Sequence, residues 1–237
     1  MAKVTVCLVT GAGGQVGQHI VAKLVERSKK VIALAEADEV FSPDILKTHK
    51  IKINTALPVT KDSFSKYDVQ FCFGDLSDIS FIASIFASAD KSDIEIEYVF
   101  HLTANSVIQK SSPLAYHPDL GDIVNVLEVA RAYWQDHKDV FKNFFYPTDD
   151  SKQSSKIESM IKKISEKYNF PVTIFKENTP IGAKYNGKTS MSSLYRLVTP
   201  VKSNILNKYN NMTSPQMFDE KIFLRKLTRA LEELLKD

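Results

Sequence analysis

Four glycines fall within seven residues in Gly11-Ala12-Gly13-Gly14-Gln15-Val16-Gly17, between a β-branched run and a helical pattern. That context turns a common glycine pattern into a statement about anions. Gly11 permits a tight turn, Gly14 lets backbone approach a pyrophosphate, and Gly17 allows the following helix to pack closely on the strand. Gly13, Gln15 and Val16 complete the turn and open the helix, whose first N–H groups lack intrahelical acceptors and face the ligand. A scaffold that has lost its ligand keeps such a turn for packing alone, which is the competing reading. An acidic residue at the end of the next strand would hold the ribose hydroxyls of NAD. The count from Gly17 puts Ala35 there, with Glu36 immediately after it. A carboxylate in that place repels a 2′-phosphate and favours NAD over NADP, whereas the bland alternative makes Glu36 a solvated loop residue.

Other reactive side chains carry less. His19 falls on the first helical pattern and His101 in an apolar run, with no Cys or His at ligand spacing, so both read as structural and no metal site is expected. The two cysteines, Cys7 and Cys72, lie in apolar runs that read as buried strands, which argues against a disulfide framework and suits a reducing compartment. Lys and Arg number 31 against 28 Asp and Glu, interspersed to a net charge of +3, so nucleic acid is not an expected partner. Glycines occupy the N-terminal stretch where a signal peptide needs its apolar core, and no apolar run approaches membrane-spanning length. The expected location is therefore cytoplasmic, without a membrane partner.

The elements that must hold these residues can be read from periodicity. Residues 4–10 form a strand, and residues 16–27 place Val16, Ile20, Leu24 and Val25 at helical spacing. Almost continuous apolar runs at 31–34, 69–73, 98–102, 144–146 and 172–175 read as strands buried on both faces of a parallel sheet. Helical patterns alternate with them at 79–89, 123–134 and 157–168. This β-α order implies right-handed crossovers, hence an α/β fold: a doubly wound parallel Rossmann sheet with a reduced C-terminal lobe. Residues 35–68 form a long connection with a candidate strand at 51–53 and turns at Pro43 and Pro58. Residues 1–180 are expected to be the NAD(P)-binding domain. Residues 181–237 would be the reduced lobe, loop-rich at first and ending in an amphipathic helix capped by Thr213 or Ser214 before Pro215.

On these residues the chain resembles the extended short-chain dehydrogenase/reductases, also called NAD-dependent epimerase/dehydratases, over about residues 4–182. The resemblance is carried by VTGAGGQVG at 9–17, GDLSD at 74–78, VFHLTA at 99–104, IVNVLEVAR at 123–131 and PVTIFKENTPIG at 171–182. It implies that Asp75 and Leu76 flank an adenine and that Leu102, Thr103 and Ala104 lie along the cofactor. It further implies a nucleotide-sugar or small carbonyl substrate, and homodimers formed through the helices at 123–134 and 156–168.

The likeness breaks at the chemistry. In the family a Ser or Thr after a strand, and a Tyr-x-x-x-Lys pair on the next helix, polarise and protonate the substrate oxygen, with the lysine lowering the tyrosine pKa. Thr148 matches the first position and Lys156 the lysine, which would also bind ribose, but Lys152 stands where the tyrosine belongs. Seven residues separate Thr148 from Lys156, so the segment carrying the acid reads as deleted. Tyr146, near a strand end, cannot stand one helical turn before Lys156 without rearrangement. Lys176-Glu177 replaces the Arg-Pro common before a substrate lobe, and that lobe is itself short. Two readings follow. One is a degenerate member that binds NAD(H) and serves as a binding, regulatory or assembly subunit with a protein partner. The other is a working NAD-dependent oxidoreductase, epimerase or dehydratase, with Thr148 on the substrate oxygen, Lys156 on the ribose and Tyr146 as substitute acid. The missing tyrosine, loop and lobe favour the first.

Overall fold

The computed structural model of the chain describes residues 3–36, 41–102, 120–137, 142–148 and 152–176. In β1 (Val4–Thr10), Val6, Cys7, Leu8 and Val9 are fully buried, as a strand covered on both faces requires. It lies between β2 (Lys30–Ala35) and β5 (Ile94–His101) and runs parallel to both, so that Thr10 stands level with Leu34 on one side and His101 on the other. Outward from β2 come β4 (Val69–Phe73) and then β3 (Ile53–Asn54); outward from β5 comes β6 (Asn143–Thr148), again in parallel. With β7 (Val172–Lys176) beyond β6, the strand order is β3-β4-β2-β1-β5-β6-β7. The chain winds first to one side of β1 and then to the other. The order reverses between β1 and β5, and ligands of such sheets bind outside the strand carboxyl ends at that reversal.

The helices follow from their apolar spacing. α1 (Gln15–Glu26) buries Ile20, Val21 and Leu24. The long connection after β2 holds two short helices, α2 (Pro43–Thr48) and α3 (Ser63–Lys66), besides β3, which begins at the last residue of the strand expected at 51–53. α4 (Ile79–Lys91) starts where the Asp78 carboxylate accepts from the Ser80 N–H, and it buries Ile82, Ile85, Phe86 and Ala89 in a single stripe. α5 (Leu120–Asp136) buries Ile123, Val126, Leu127, Ala130 and Trp134, the face read from the sequence. Among the described residues, four helices end at a non-glycine residue in the left-handed region: Ser28, Lys50, Asp93 and Asn169, with φ between 50° and 61°. Burying one Leu or Ile fully is worth roughly 1.5–3 kcal/mol, so the stripes and the sheet interior dominate stability.

The chain divides into two compact units, Met1–Phe145 and Tyr146–Asp237. The first holds β1 to β5 and the start of β6. The described part of the second holds the end of β6, α6 (Lys152–Tyr168) and β7, with Ile157 and Ile161 buried one turn apart on the helix. The expected boundary at residue 180, the lobe at 181–237 and its final helix lie outside the described residues. No helix among the described residues is long and apolar enough to cross a membrane. Cys7 and Cys72 are free thiols inside the sheet; burial pushes both up, Cys72 to about 12, so neither is poised as a nucleophile.

Candidate nucleotide-binding site

The glycine turn occupies the carboxyl end of β1. Gly11 has φ 62°, a conformation that side chains disfavour. The Ala12 N–H donates to the Leu34 carbonyl at 3.0 Å and the Gly14 N–H to the Gly11 carbonyl at 3.2 Å, so the turn is closed on itself and tied to β2. A Cβ on Gly17 would stand 2.1 Å from the Gly11 carbonyl oxygen and 2.8 Å from Ala12 Cα, a space that only glycine fits. Gly14 caps α1 with no side-chain hydrogen bond. The first-turn N–H groups, from Gln15, Val16 and Gly17, have no acceptor within the helix, and they sit at the positive end of its dipole. A turn without side chains at Gly13 and Gly14, opening onto an uncapped helix start, fits a diphosphate.

Beside it, Thr10 and His101 face each other across the reversal point. Both are buried, with Thr10 Oγ1 3.0 Å from His101 Nδ1, and the Leu102 N–H donates to the same oxygen at 3.1 Å. Burial drives the His101 ring down to about 3, so it is neutral and its Nδ1 can accept the threonine hydroxyl hydrogen. This contact fixes the backbone at Leu102, one of the residues expected along the cofactor. Thr103 and Ala104 lie outside the described residues.

The adenine-side turn follows β4. The Gly74 N–H donates to the Ala35 carbonyl at 3.1 Å, and a Cβ on Gly74 would meet the Phe81 ring at 2.4 Å. Asp75 accepts from the Ser77 N–H at 2.8 Å; this hydrogen bond holds its carboxyl below the usual carboxylate range and turns the chain. From α5, Asn125 donates to the carbonyls of Leu76 at 3.2 Å and Ser77 at 2.9 Å. Leu76 is buried, Asp75 is exposed, and Glu36 is exposed one residue beyond β2.

The first unit thus places the glycine turn, Leu102, Asp75 and Leu76 beyond the carboxyl ends of β1, β5 and β4. Thr148 and Lys156 belong to the second unit, where Thr148 ends β6 and Lys156 is exposed on α6. Sequence reasoning missed Thr10, Gln18, Phe81 and Asn125. Gln18 donates through Nε2 to the Gly13 carbonyl and accepts through Oε1 from the Ser42 N–H at 2.7 Å. The one available signal was position, since Thr10 and Gln18 directly flank the glycine segment.

A doubly wound sheet with a tight glycine turn at its first strand end defines the Rossmann class. The family model for GDP-mannose 4,6 dehydratase matches residues 8–150, more than half of the chain. The chain belongs to this family, within the extended short-chain dehydrogenase/reductases or NAD-dependent epimerase/dehydratases. UDP-glucuronate 4-epimerase 4 of Arabidopsis thaliana is 24% identical over 128 residues, which is 53% of this chain and 26% of that protein. The UDP-glucose 4-epimerase of Thermotoga maritima, solved with UDP-glucose, is similar with a TM-score of 0.51 at 17% identity, covering 78% of this chain and 60% of that one. The UDP-glucose 4-epimerase of Bifidobacterium longum, in complex with NAD+ and UDP, is similar with a TM-score of 0.50 at 16% identity, covering 76% and 55%. These two likenesses show the fold. The chain spans about a quarter of the curated relative's length and less than two thirds of either structure.

Proposed function

We propose that this chain binds a nicotinamide dinucleotide at the carboxyl ends of β1 and β2, and that it serves as a binding, regulatory or assembly subunit without epimerase or dehydratase turnover. The glycine turn supports the first half. Gly11, Gly13, Gly14, Gln15, Val16 and Gly17 would hold the diphosphate, Glu36 the adenosine ribose, Asp75 and Leu76 the adenine, and Leu102 to Ala104 the remainder, with Lys156 as a candidate ribose contact. Glu36 favours NAD over NADP, because its charge opposes a 2′-phosphate. The bound NAD+ of the Bifidobacterium longum epimerase supports the same cofactor class.

The observation that carries the second half is the junction of β6 and α6. The strand ends at Thr148 and the helix begins at Lys152, so three positions separate them, and Lys152 stands one turn before Lys156. Two lysines one turn apart supply no phenol to exchange a proton with a substrate hydroxyl. Retention of Thr148 and Lys156 supports the alternative of an active epimerase or dehydratase on a nucleotide sugar. Its substitute acid, Tyr146, is only 1% exposed, which counts against it.

Calorimetry with NAD(H) and NADP(H), paired with assays on UDP- and GDP-sugars, tests both halves. The expected result is binding of NAD(H) ahead of NADP(H), a preference narrowed by Glu36→Gln, and no sugar interconversion. Robust turnover abolished by Lys156→Ala would overturn the loss of chemistry, and failure to bind any dinucleotide would overturn the cofactor.

A further inference from the structure

We infer that Gln18 is a positioning residue for the dinucleotide: a buried amide that locks the glycine turn to the segment following β2. The inference rests on the nucleotide reading above and assigns a role to a side chain that touches no ligand itself. Gln18 is 8% exposed, and its amide works in both directions, donating to the Gly13 carbonyl and accepting from the Ser42 N–H. An uncharged amide carries the donor and the acceptor that this pair of contacts requires.

The consequence falls on the peptide joining Gly13 and Gly14. Its N–H is held by the Gly11 carbonyl and its C=O by Gln18, so both ends of the plane are fixed. The carbonyl oxygen is turned toward a buried donor. Left unheld, a glycine-glycine peptide can flip and present that oxygen to an incoming diphosphate, where it repels rather than binds. The far end of the clamp is equally firm. Ser42 caps α2, and its neighbour Phe41 is buried with its ring edge-on to Phe71 at 5.8 Å. The adenine-side turn has its own supports in Asn125 and the Phe81 ring, independent of Gln18. Loss of the clamp therefore weakens ligands through their diphosphate and spares those without one.

The test uses the full chain with two probes, ADP-ribose by calorimetry and adenosine by NMR titration. Gln18→Met keeps the side-chain volume and deletes both hydrogen bonds; it is expected to raise the ADP-ribose Kd about tenfold, the scale of one net hydrogen bond, and to leave the adenosine Kd unchanged. Ser42→Pro provides a second variant that leaves α1 untouched. Ser42 has φ −60°, the value a proline ring imposes, so this change removes the N–H that donates to Gln18, and a smaller loss of the same selectivity is expected. Unchanged ADP-ribose affinity in both variants overturns the proposal. So does a loss shared equally by adenosine, because that marks general loosening rather than positioning. If the wild-type chain takes up neither probe, the nucleotide reading itself fails, and the role of Gln18 goes with it.

Discussion

His101 lies in the interior with its ring neutral, and this couples the ends of β1 and β5 to pH. Its pKa falls from 6.5 to about 3 because burial disfavours the cation. Between those values the unfolded chain binds one more proton than the folded chain, so stability rises with pH across the window. The contribution is fully present above about 6.5 and is lost as pH falls, at up to about 1.4 kcal/mol per unit for one proton. Urea unfolding at steps between pH 7 and pH 4 should show this slope, and His101→Gln should flatten it by about one proton relative to wild type. Equal slopes in the two proteins would show that His101 does not titrate as a buried neutral ring. Such side chains mark how far the site can be read from sequence. The glycine turn is legible because Gly11 holds a positive φ and Gly17 has no room for a Cβ, and both requirements are local. Gln18, Asn125 and Thr10 act on backbone groups 24, 49 and 92 residues away, and nothing in their own neighbourhood of the chain signals those partners.

At the scale of elements, the contact between α1 and the end of β1 is the tightest feature of the site. Gly17→Ala would place a Cβ against backbone atoms of Gly11 and Ala12 that cannot swing aside. The expected cost is about 1–3 kcal/mol, the usual range for overpacking, read as a lower urea midpoint with an unchanged m-value. Because the helix must back away from the turn, nucleotide affinity should fall as well. A variant with wild-type stability would mean that the helix and turn are not in contact as described. The same packing logic explains which elements periodicity reveals. The strand at 69–73, apolar but for Gln70, and the apolar helical face at 123–134 match β4 and α5. The start of β5 is hidden, since Glu95 and Glu97 interrupt its apolar run; Glu95 is buried nonetheless, and Glu97 pairs with Lys29 at 2.7 Å. α6 likewise begins five residues before Ile157, its first apolar residue, in a Lys-Gln-Ser-Ser-Lys stretch with no apolar face. α2, α3 and β3 are too short to establish any period, with six, four and two residues.

For the molecule as a whole, the net charge of +3 supplies little long-range attraction for an anionic ligand. Affinity for a dinucleotide must then come from the turn, at contact distance. Every described residue that the nucleotide reading uses, Lys156 excepted, belongs to the Met1–Phe145 unit. A ligand that binds only the folded form of that unit stabilises it by mass action, by about 2.7 kcal/mol when present at one hundred times its Kd. Calorimetric scans with increasing NAD should therefore raise the transition that Gly17→Ala lowers, and the rise should be much reduced in that variant. Salt separates contact binding from loose attraction, because screening shortens the Debye length to about 3 Å at 1 M. A shift that survives in high salt, and depends on Gly17, locates the dinucleotide at the glycine turn. One that vanishes with salt and ignores Gly17 would assign the effect to diffuse charge and leave the turn a packing device.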